Sequence, residues 1–362
     1  MTNRIIIAGG GTGGHIFPAI AIANAILKLQ PQTTILFVGA KGKMEMEKIP
    51  QAGFKIEGLD IAGFNRSSLI KNIGLPFKLI KSFFQVRRIL KIFKPTAVIG
   101  VGGYSSFPVL RLAQAKGIPS FIHESNSFAG KSNIMLGKKA IRIFVASDGM
   151  EKFFPAEKIL VSGNPVRASI SKSTLSREDA IKFFGLDPIR KTILSVGGSL
   201  GAKSINEALD KNLEVFEENN LQLIWQTGIP YAAKGKERAT GKSNIWANDF
   251  INQMEYAYAA ADLVISRSGA MAIAELCVMK KAAVFVPFPY AAEDHQTVNA
   301  QNLVNKNAGI MIKDSEALEL LIPSVIILSK DENKQATLKD NIGKLAISNA
   351  DEVIAAEILK LI

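Results

Sequence analysis

The sequence predicts an α/β protein with two Rossmann-like domains that face a cleft. Short β-branched runs alternate with helical patterns along the chain, which is typical of parallel sheets with crossover helices. A strand, a glycine turn and a helix start occur together twice, at "IIIAGGGTGGHIFPAIAIA" and again at "TILSVGGSLGA". The length of 362 residues is sufficient for two domains, each with its own core.

The predicted strands fall into two series. The first half holds "RIIIAG", "TTILFVG", "FKIEGLDI", "TAVIGVG", "PSFIHES", "IRIFVAS" and "KILVSG". After "GNPVR" at 163–167 the pattern restarts with "KTILSV", "LQLIWQTG", "NIWANDF", "DLVISRSG", "AAVFVPFP" and "GIMIKD". We therefore place an N-terminal domain at 1–163, a C-terminal domain at 164–340, and a last helix at 341–362 that could pack back across the junction.

Charge is distributed unevenly between the halves. The formal net charge is +12, and residues 1–163 carry 22 Lys and Arg against 8 Asp and Glu, whereas the remainder carries 22 against 24. This asymmetry indicates an anionic partner of the first half: nucleic acid, an acidic membrane surface or a phosphorylated substrate. The lone Cys277 excludes an internal disulfide and favours a reducing cytoplasm. No signal peptide is expected, and no apolar run reaches the roughly 18 to 20 residues of a spanning helix.

The first glycine turn matches the G-x-G-x-x-G pattern of dinucleotide sites through Gly9, Gly11 and Gly14. Such a site also needs a carboxylate at the end of the second strand to hold ribose, but the nearest one here is Glu45, beyond "GAK" at 39–41. NAD is therefore disfavoured, and no G-x-x-x-x-G-K-[ST] sequence supports a kinase-type phosphate loop. The turn either binds another anion through its N–H groups or only permits tight packing. The occurrence of two such turns in the chain favours anion binding over packing alone.

Three histidines occur in the chain, at 15, 123 and 295. His15 follows the first glycine turn at a helix start, where a general base would be useful. His123 in "FIHESN" is expected to be a buried core residue. Since metal-ligand spacings such as C-x-x-C, H-x-x-x-H and D-x-D are lacking, we expect no metal site and no cofactor.

Seven motifs in order give the chain a specific resemblance: "GGGTGGHIFPAIAIA", "GVGGYSSFP", "IHESN", "GNPVR", "GGSLGA", "SRSGAMAIAEL" and "EDHQTVNA". They resemble the undecaprenyldiphospho-muramoylpentapeptide N-acetylglucosaminyltransferases of bacterial peptidoglycan synthesis, from residue 5 to about residue 310. The resemblance implies the glycosyltransferase B fold and inverting transfer of N-acetylglucosamine from UDP-GlcNAc, bound by the C-terminal half. The implied acceptor is the C4 hydroxyl of lipid-pyrophosphoryl-MurNAc-pentapeptide (lipid I), which becomes lipid II. It also implies a peripheral enzyme of cell-wall growth and division, on the cytoplasmic face of the plasma membrane.

The matching motifs also imply site residues. The first loop is implied to face the donor phosphates and the acceptor. Ile251 is implied to lie beside the uracil, and the helix start at 270–274 to bind the diphosphate. Glu275 is implied to bind the ribose, and Gln296 to bind the sugar hydroxyls. The implied substrate-binding set is Thr12, Gly13, Gly14, Asn126, Arg167, Ser199, Ile251, Ala270, Met271, Ala272, Ile273, Ala274, Glu275 and Gln296, with Tyr104 and Ser106 on the acceptor side. The sequence departs from the family's pattern at Phe107, Ser125 and His295.

The same residues suit glycosyl transfer chemically. A diphosphate leaving group requires stabilisation of developing negative charge, which the helix start after Gly269, Ser199 and Arg167 can supply. Glu275 is either a favourable first-turn acid or a ribose ligand, and its apolar "MAIAEL" context favours the ligand. The acceptor hydroxyl requires a general base, for which His15 is the first candidate and Glu124 the reserve.

Residues 64–95 carry eight Lys and Arg and no acid, interleaved with Phe and Ile. An amphipathic helix packed on the core would explain part of this pattern. The excess of apolar residues suits docking to an anionic bilayer, with Phe77, Leu79, Phe83 and Phe84 inserted among the lipids. Nucleic acid is not expected as a partner, because no nucleic-acid-binding motif is present.

Two alternative functions remain open at this point. A UDP-GlcNAc 2-epimerase would share the fold and the donor but would turn over UDP-GlcNAc without a lipid acceptor. A non-catalytic protein that binds nucleotide sugars or nucleic acid would keep its biological activity after loss of His15 and Glu275.

Overall fold

The computed structural model describes residues 2–63, 74–198 and 200–362. The chain divides into two compact units. The first comprises Met1–Arg167 together with Ser348–Ile362, and the second comprises Ala168–Ile347.

The first unit is a parallel sheet with helices on its faces. Its strands are β1 (Arg4–Ala8), β2 (Thr34–Ala40), β3 (Lys55–Leu59), β4 (Ala97–Gly100), β5 (Ser120–Glu124), β6 (Arg142–Val145) and β7 (Ile159–Val161). Its helices are α1 (Gly13–Leu29), α2 (Glu45–Gln51), α3 (Leu75–Phe93), α4 (Ser106–Ala115), α5 (Lys131–Gly137) and, from the chain's end, α16 (Ala350–Lys360). The strand order is β3-β2-β1-β4-β5-β6-β7. The chain adds strands outward on one side of β1 and then, from β4, on the other side, and an open α/β sheet forms its ligand crevice at such a switch point.

The second unit repeats this plan with six parallel strands. They are β8 (Lys191–Val196), β9 (Leu221–Gln226), β10 (Ile245–Asn248), β11 (Leu263–Ser266), β12 (Ala282–Phe285) and β13 (Ile310–Met311). The helices are α6 (Ala168–Ser171), α7 (Arg177–Phe184), α8 (Lys203–Lys211), α9 (Glu214–Glu218), α10 (Ala232–Ala239), α11 (Met254–Ala260), α12 (Ala270–Val278), α13 (His295–Val304), α14 (Ala317–Lys330) and α15 (Glu332–Gly343). The order β10-β9-β8-β11-β12-β13 reverses between β8 and β11.

The predicted α/β class with two parallel sheets is confirmed, and each predicted strand run forms a strand. The reason is visible in β1, where Ile5, Ile6 and Ile7 are all fully buried. Helices cover both faces of a parallel sheet, so its central strands are continuous apolar runs rather than alternating ones. Among the residues that the structure describes, no helix has both the length and the apolar character needed to cross a bilayer.

The end of the chain returns to the first unit. The segment 341–362 is not one helix as predicted: α15 ends at Gly343 and α16 begins at Ala350, after Ser348 and Asn349, residue types that favour helix ends over helix interiors. The apolar face of α16 packs on α1 in the first unit's core, through Ile354, Ala355 and Ile358.

A partly buried ion pair adds a polar link between α16 and the sheet. Nε of Arg142 on β6 donates to Oε1 of Glu357 at 3.0 Å, and the guanidinium and the carboxylate are both mostly buried. The last helix is therefore a structural part of the first unit.

We predict that Ile354→Ala destabilises the first unit by about 2 to 5 kcal/mol, because it leaves a cavity between α16 and α1. Urea denaturation followed by far-UV circular dichroism measures the effect, and Lys360→Ala on the exposed side of the same helix is the matched control. Equal transition midpoints for the two variants would contradict the packing role of α16.

Candidate active site

Two glycine turns of the first unit touch backbone to backbone at the carboxyl ends of β1 and β4. Gly10 and Gly11 have φ values of 148° and 91°, and Gly103 follows β4 with φ 83°. A Cβ on Gly103 would collide with the carbonyl oxygen of Gly10. The close approach therefore requires glycine, and it fixes the position of the Gly10 carbonyl.

His15 lies in the first turn of α1, directly above this contact. Its Nδ1 is 3.1 Å from the carbonyl oxygen of Gly10, and Oγ1 of Thr12 is 3.5 Å from the same nitrogen. A carbonyl oxygen can only accept, so this contact requires a proton on Nδ1, and a neutral ring with that proton has its lone pair on Nε2. The neighbouring Gly13 and Gly14 are the first two residues of α1. The glycine turn therefore fixes the orientation of the imidazole.

Glu45 is a site residue that sequence reasoning missed. It is the first residue of α2, its side chain is 1% exposed, and it contacts the glycine turn. Its Oε2 accepts the N–H of Gly11 at 2.9 Å and its Oε1 accepts the N–H of Ala40 at 3.0 Å. The available signal was its place just beyond β2, where dinucleotide folds keep a ribose-binding acid. In this structure the Glu45 carboxylate instead contacts the glycine turn after β1.

Glu124, the reserve base, ends β5 and is buried. Its Oε1 accepts the N–H of Asn126 at 3.1 Å, and its Oε2 accepts from the N–H of Gly130 at 3.1 Å and from Nδ2 of Asn133 at 2.8 Å. The side-chain amide of Asn126 also contacts Oε1, at 3.3 Å. This carboxylate orders the loop before α5, and both of its oxygens are engaged in hydrogen bonds.

His123 is also buried, on β5, and burial lowers its pKa to about 4. It is therefore a neutral core residue at physiological pH.

Ser106 is buried as well, and its hydroxyl donates to the carbonyl of Gly103 at 2.7 Å, so it supports the glycine turn after β4. Tyr104 is half-buried beside Gly11, and burial raises its pKa. The Arg167 guanidinium lies 4.8 Å from the ring centre of Phe17 on α1.

The second unit has a corresponding pair of turns after β8 and β9. A Cβ on Gly201 would collide with the carbonyl oxygen of Thr227. Beside them, Nε2 of Gln226 donates to the carbonyl of Gly198 at 3.0 Å, and Oε1 of Gln226 accepts the N–H of Ile251 at 3.3 Å. Gln226, which the sequence did not indicate, therefore connects two predicted donor-binding segments. The side chain of Ile251 is buried, and Ser199 lies outside the described residues.

The helix α12 begins directly after Gly269, so the predicted stretch 270–275 is its first turn and a half. Ala270, Met271, Ala272, Ile273 and Ala274 are half-buried. Glu275 is 7% exposed, and the hydroxyl of Tyr258 on α11 donates to its Oε2 at 2.9 Å. A helix N-terminus offers N–H groups and a favourable dipole to an anion, and the buried carboxylate beside it is a hydrogen-bond acceptor.

Gln296 belongs to the first turn of α13, next to the half-buried His295. Its Oε1 accepts the N–H of Phe288 at 3.0 Å, and the hydroxyl of Ser268 donates to its backbone carbonyl at 2.8 Å. With the amide oxygen held in this way, the NH₂ group is the part of the side chain that suits a sugar hydroxyl.

Arg267 is a further residue that the sequence did not single out. Its guanidinium pairs with Asp314 and donates to the carbonyls of Val286 and Pro287 at 3.0 and 3.1 Å. Arg267 therefore links the end of β11 to the residues that follow β12 and β13. Across residues 2–63, 74–198 and 200–362, no group of three or more His, Cys, Asp and Glu is arranged to hold a metal.

Comparison with known proteins assigns the family. The glycosyltransferase family 28 N-terminal domain matches residues 5–145, and the family 28 C-terminal domain matches residues 192–355. The chain is 50% identical over 361 residues, 99% of its length and 96% of the relative's, to the UDP-N-acetylglucosamine--N-acetylmuramyl-(pentapeptide) pyrophosphoryl-undecaprenol N-acetylglucosamine transferase of Phocaeicola vulgatus.

Solved structures agree with this assignment. The crystal structure of Acinetobacter baumannii MurG is 31% identical, covers 99% of both chains and superposes with a TM-score of 0.77. A UDP-GlcNAc 2-epimerase from Neisseria meningitidis covers 99% of this chain and all of its own, with a TM-score of 0.71 and 14% identity, and it shows a shared fold only. The chain belongs to glycosyltransferase family 28 and, within it, to the family of the N-acetylmuramyl-(pentapeptide) pyrophosphoryl-undecaprenol N-acetylglucosamine transferases.

Proposed function

We propose that this enzyme transfers N-acetylglucosamine from UDP-GlcNAc to the C4 hydroxyl of lipid-pyrophosphoryl-MurNAc-pentapeptide, with inversion at the anomeric carbon. The second unit binds the donor and the first unit binds the acceptor. The observation that carries the donor assignment is the start of α12, where a helix N-terminus adjoins the buried Glu275. A diphosphate fits the helix start, and ribose hydroxyls fit the carboxylate.

Catalysis then combines a base with charge stabilisation. Nε2 of His15 takes the proton of the acceptor hydroxyl as the hydroxyl oxygen attacks the anomeric carbon of the donor. The bond to the diphosphate oxygen breaks with its electron pair on UDP, and the α12 dipole with Arg167 and Ser199 stabilises that charge. Asn126, Gln296 and the first loop at Thr12, Gly13 and Gly14 orient the sugars, while Tyr104 and Ser106 lie on the acceptor side.

Incubation with labelled UDP-GlcNAc, with and without the lipid acceptor, tests the proposal. Transfer of label to the acceptor, and no turnover in its absence, is the expected result. Formation of UDP-ManNAc without an acceptor would instead identify an epimerase, and binding without turnover would identify a non-catalytic protein.

Glu275 is the residue at which the proposed donor site can be tested. Glu275→Gln is expected to weaken UDP binding by about 1 kcal/mol, because a charge-assisted hydrogen bond to ribose becomes a neutral one. Isothermal titration calorimetry measures the affinity, and Glu207→Gln on the exposed side of α8 is the matched control. An unchanged UDP affinity in Glu275→Gln would remove Glu275 from the donor site.

His15 is the residue at which the proposed base can be tested. His15→Ala is expected to lower kcat by about 10² to 10⁴, since a general base acts in the transition state, while the UDP affinity stays unchanged. Steady-state kinetics with calorimetry separates the two quantities. A folded His15→Ala variant with wild-type turnover would place the base elsewhere, and Glu124→Gln would then be the variant to measure.

We further propose that the stretch 64–95 docks the enzyme on the anionic cytoplasmic face of the membrane. Residues 64–73 lie outside the described residues, and the remainder is mostly α3. Three apolar residues share one exposed face at i, i+3 and i+7: Phe77 is 76% exposed, Ile80 56% and Phe84 68%. Leu79 and Phe83 are half-buried, and the ring of Phe83 packs on Phe107, so they contribute less than expected.

Basic residues flank this apolar face. The exposed ones on and after α3 are Lys78, Lys81, Arg87, Arg88, Lys91 and Lys94. Each basic residue near an anionic surface contributes about 1 kcal/mol, an attraction that salt screens, whereas inserted apolar side chains resist salt. The combination therefore supports a membrane surface over a purely electrostatic partner.

Vesicle co-sedimentation tests the docking surface. The wild-type enzyme is expected to bind anionic vesicles more than neutral ones and to keep part of that binding at high salt. The triple variant Phe77→Ser, Ile80→Ser, Phe84→Ser is expected to lose the salt-resistant part while still using a water-soluble acceptor analogue. Ile189→Ser with Ile327→Ser, two exposed apolar positions of the second unit, is the matched control. Equal binding by the triple variant and the wild type would contradict docking through α3.

A further inference from the structure

The buried carboxylate of Glu45 and the imidazole of His15 bind opposite ends of one peptide group. The N–H of Gly11 donates to Oε2 of Glu45 at 2.9 Å, and Nδ1 of His15 lies 3.1 Å from the carbonyl oxygen of Gly10. The Gly10 oxygen and the Gly11 nitrogen belong to the same planar peptide unit. The carboxylate, the peptide and the imidazole therefore form one continuous hydrogen-bonded chain.

We infer that Glu45 is a positioning residue for His15, acting through the Gly10–Gly11 peptide. This rests on the proposed role of His15 as base and deepens it. A carboxylate that accepts the peptide N–H polarises the peptide and makes its carbonyl a stronger acceptor for the Nδ1 proton. That bond fixes the tautomer and the ring orientation, and it stabilises the imidazolium once Nε2 has taken the acceptor's proton. Nδ1 keeps its proton throughout, so Glu45 gains none.

The surroundings of Glu45 are built to hold this carboxylate. A Cβ on Gly10 would collide with its carboxylate group, and one on Gly39 would come within 2.5 Å of its Cγ. The second oxygen is held by Ala40, so the buried charge is hydrogen-bonded on both sides. Because the Gly11 N–H is committed to Glu45, this part of the turn serves the base rather than a phosphate.

Two ionisable groups in this part of the first unit have a shifted pKa. Burial raises the pKa of Tyr104, in the turn after β4, which favours its neutral form. His123, from β5, has a pKa of about 4 and is neutral above it. The Arg167 guanidinium lies over Phe17 on α1, and the Glu124 carboxylate is engaged by the loop before α5. Glu45 is the carboxylate that is hydrogen-bonded to the Gly10–Gly11 peptide.

Glu45→Gln tests the inference, because an amide cannot accept both N–H groups. We expect kcat to fall about 10- to 100-fold, by analogy with the outer-shell groups that orient metal-binding histidines, with the KM for UDP-GlcNAc unchanged. The acid limb of the kcat–pH profile should move to lower pH, because the charge that favours the imidazolium is gone. Glu47→Gln, two positions along the same helix and largely exposed, is the matched control and should leave kcat and the profile unchanged.

A double-mutant cycle separates positioning from a purely structural role. If Glu45 acts through His15, then Glu45→Gln in the His15→Ala background should lower kcat by less than about twofold. The reason is that the kinetic effects of residues that act together are non-additive. Equal losses in both backgrounds, with the pH profile of Glu45→Gln unmoved, would overturn the inference. A His15→Ala variant with wild-type kcat would instead overturn the proposed base itself.

The wild-type protein provides a test that does not depend on the folding of Glu45→Gln. Long-range ¹H–¹⁵N spectra report histidine tautomers, and the signals lost in His15→Ala identify this ring. The inference predicts that neutral His15 carries its proton on Nδ1. An Nε2-protonated ring would break the chain from Glu45 and overturn the inference.

Discussion

The contact between paired glycine turns is the constraint on which the candidate site residues of each unit depend. In the first unit the turn after β1 meets the turn after β4 at Gly10 and Gly103, and in the second the turn after β8 meets the turn after β9 at Gly201 and Gly228. Each contact brings main chain against main chain, with no space for a Cβ. The turns are therefore fixed in position, and the helices that begin next to them, α1 and α8, begin at fixed points.

Buried polar groups then set what each fixed turn can do. In the first unit Glu45 binds the glycine turn and Glu124 binds the loop before α5, so both carboxylates have structural partners. In the second unit Gln226 holds the glycine turn, and Tyr258 holds Glu275 beside the start of α12. The proposed function places proton transfer in the first unit and donor binding in the second.

The fold could be read from the sequence because its signals are local. Runs such as "RIIIAG" become central strands, since a strand covered on both faces must be apolar at every position. Glu275 could be singled out for a similar reason, as an acid in an apolar helix start. Gln226 and Tyr258 could not, because their importance lies in contacts between elements far apart in the chain. Glu45 had a local signal, its place just beyond β2, but its contact with Gly11 depends on the fold. For α3, charge and apolar content were visible in the sequence, but which of its residues face outward depended on packing against its neighbours.

The central claim is that the nucleotide binds to the second unit, at the start of α12, while the first glycine turn frames the base. Hydrogen–deuterium exchange of the full-length protein, with and without saturating UDP, tests this claim most directly. The account predicts slowed exchange around Gly198, Ile251 and the first turn of α12. Protection confined to the first glycine turn, with α12 unchanged, would contradict it.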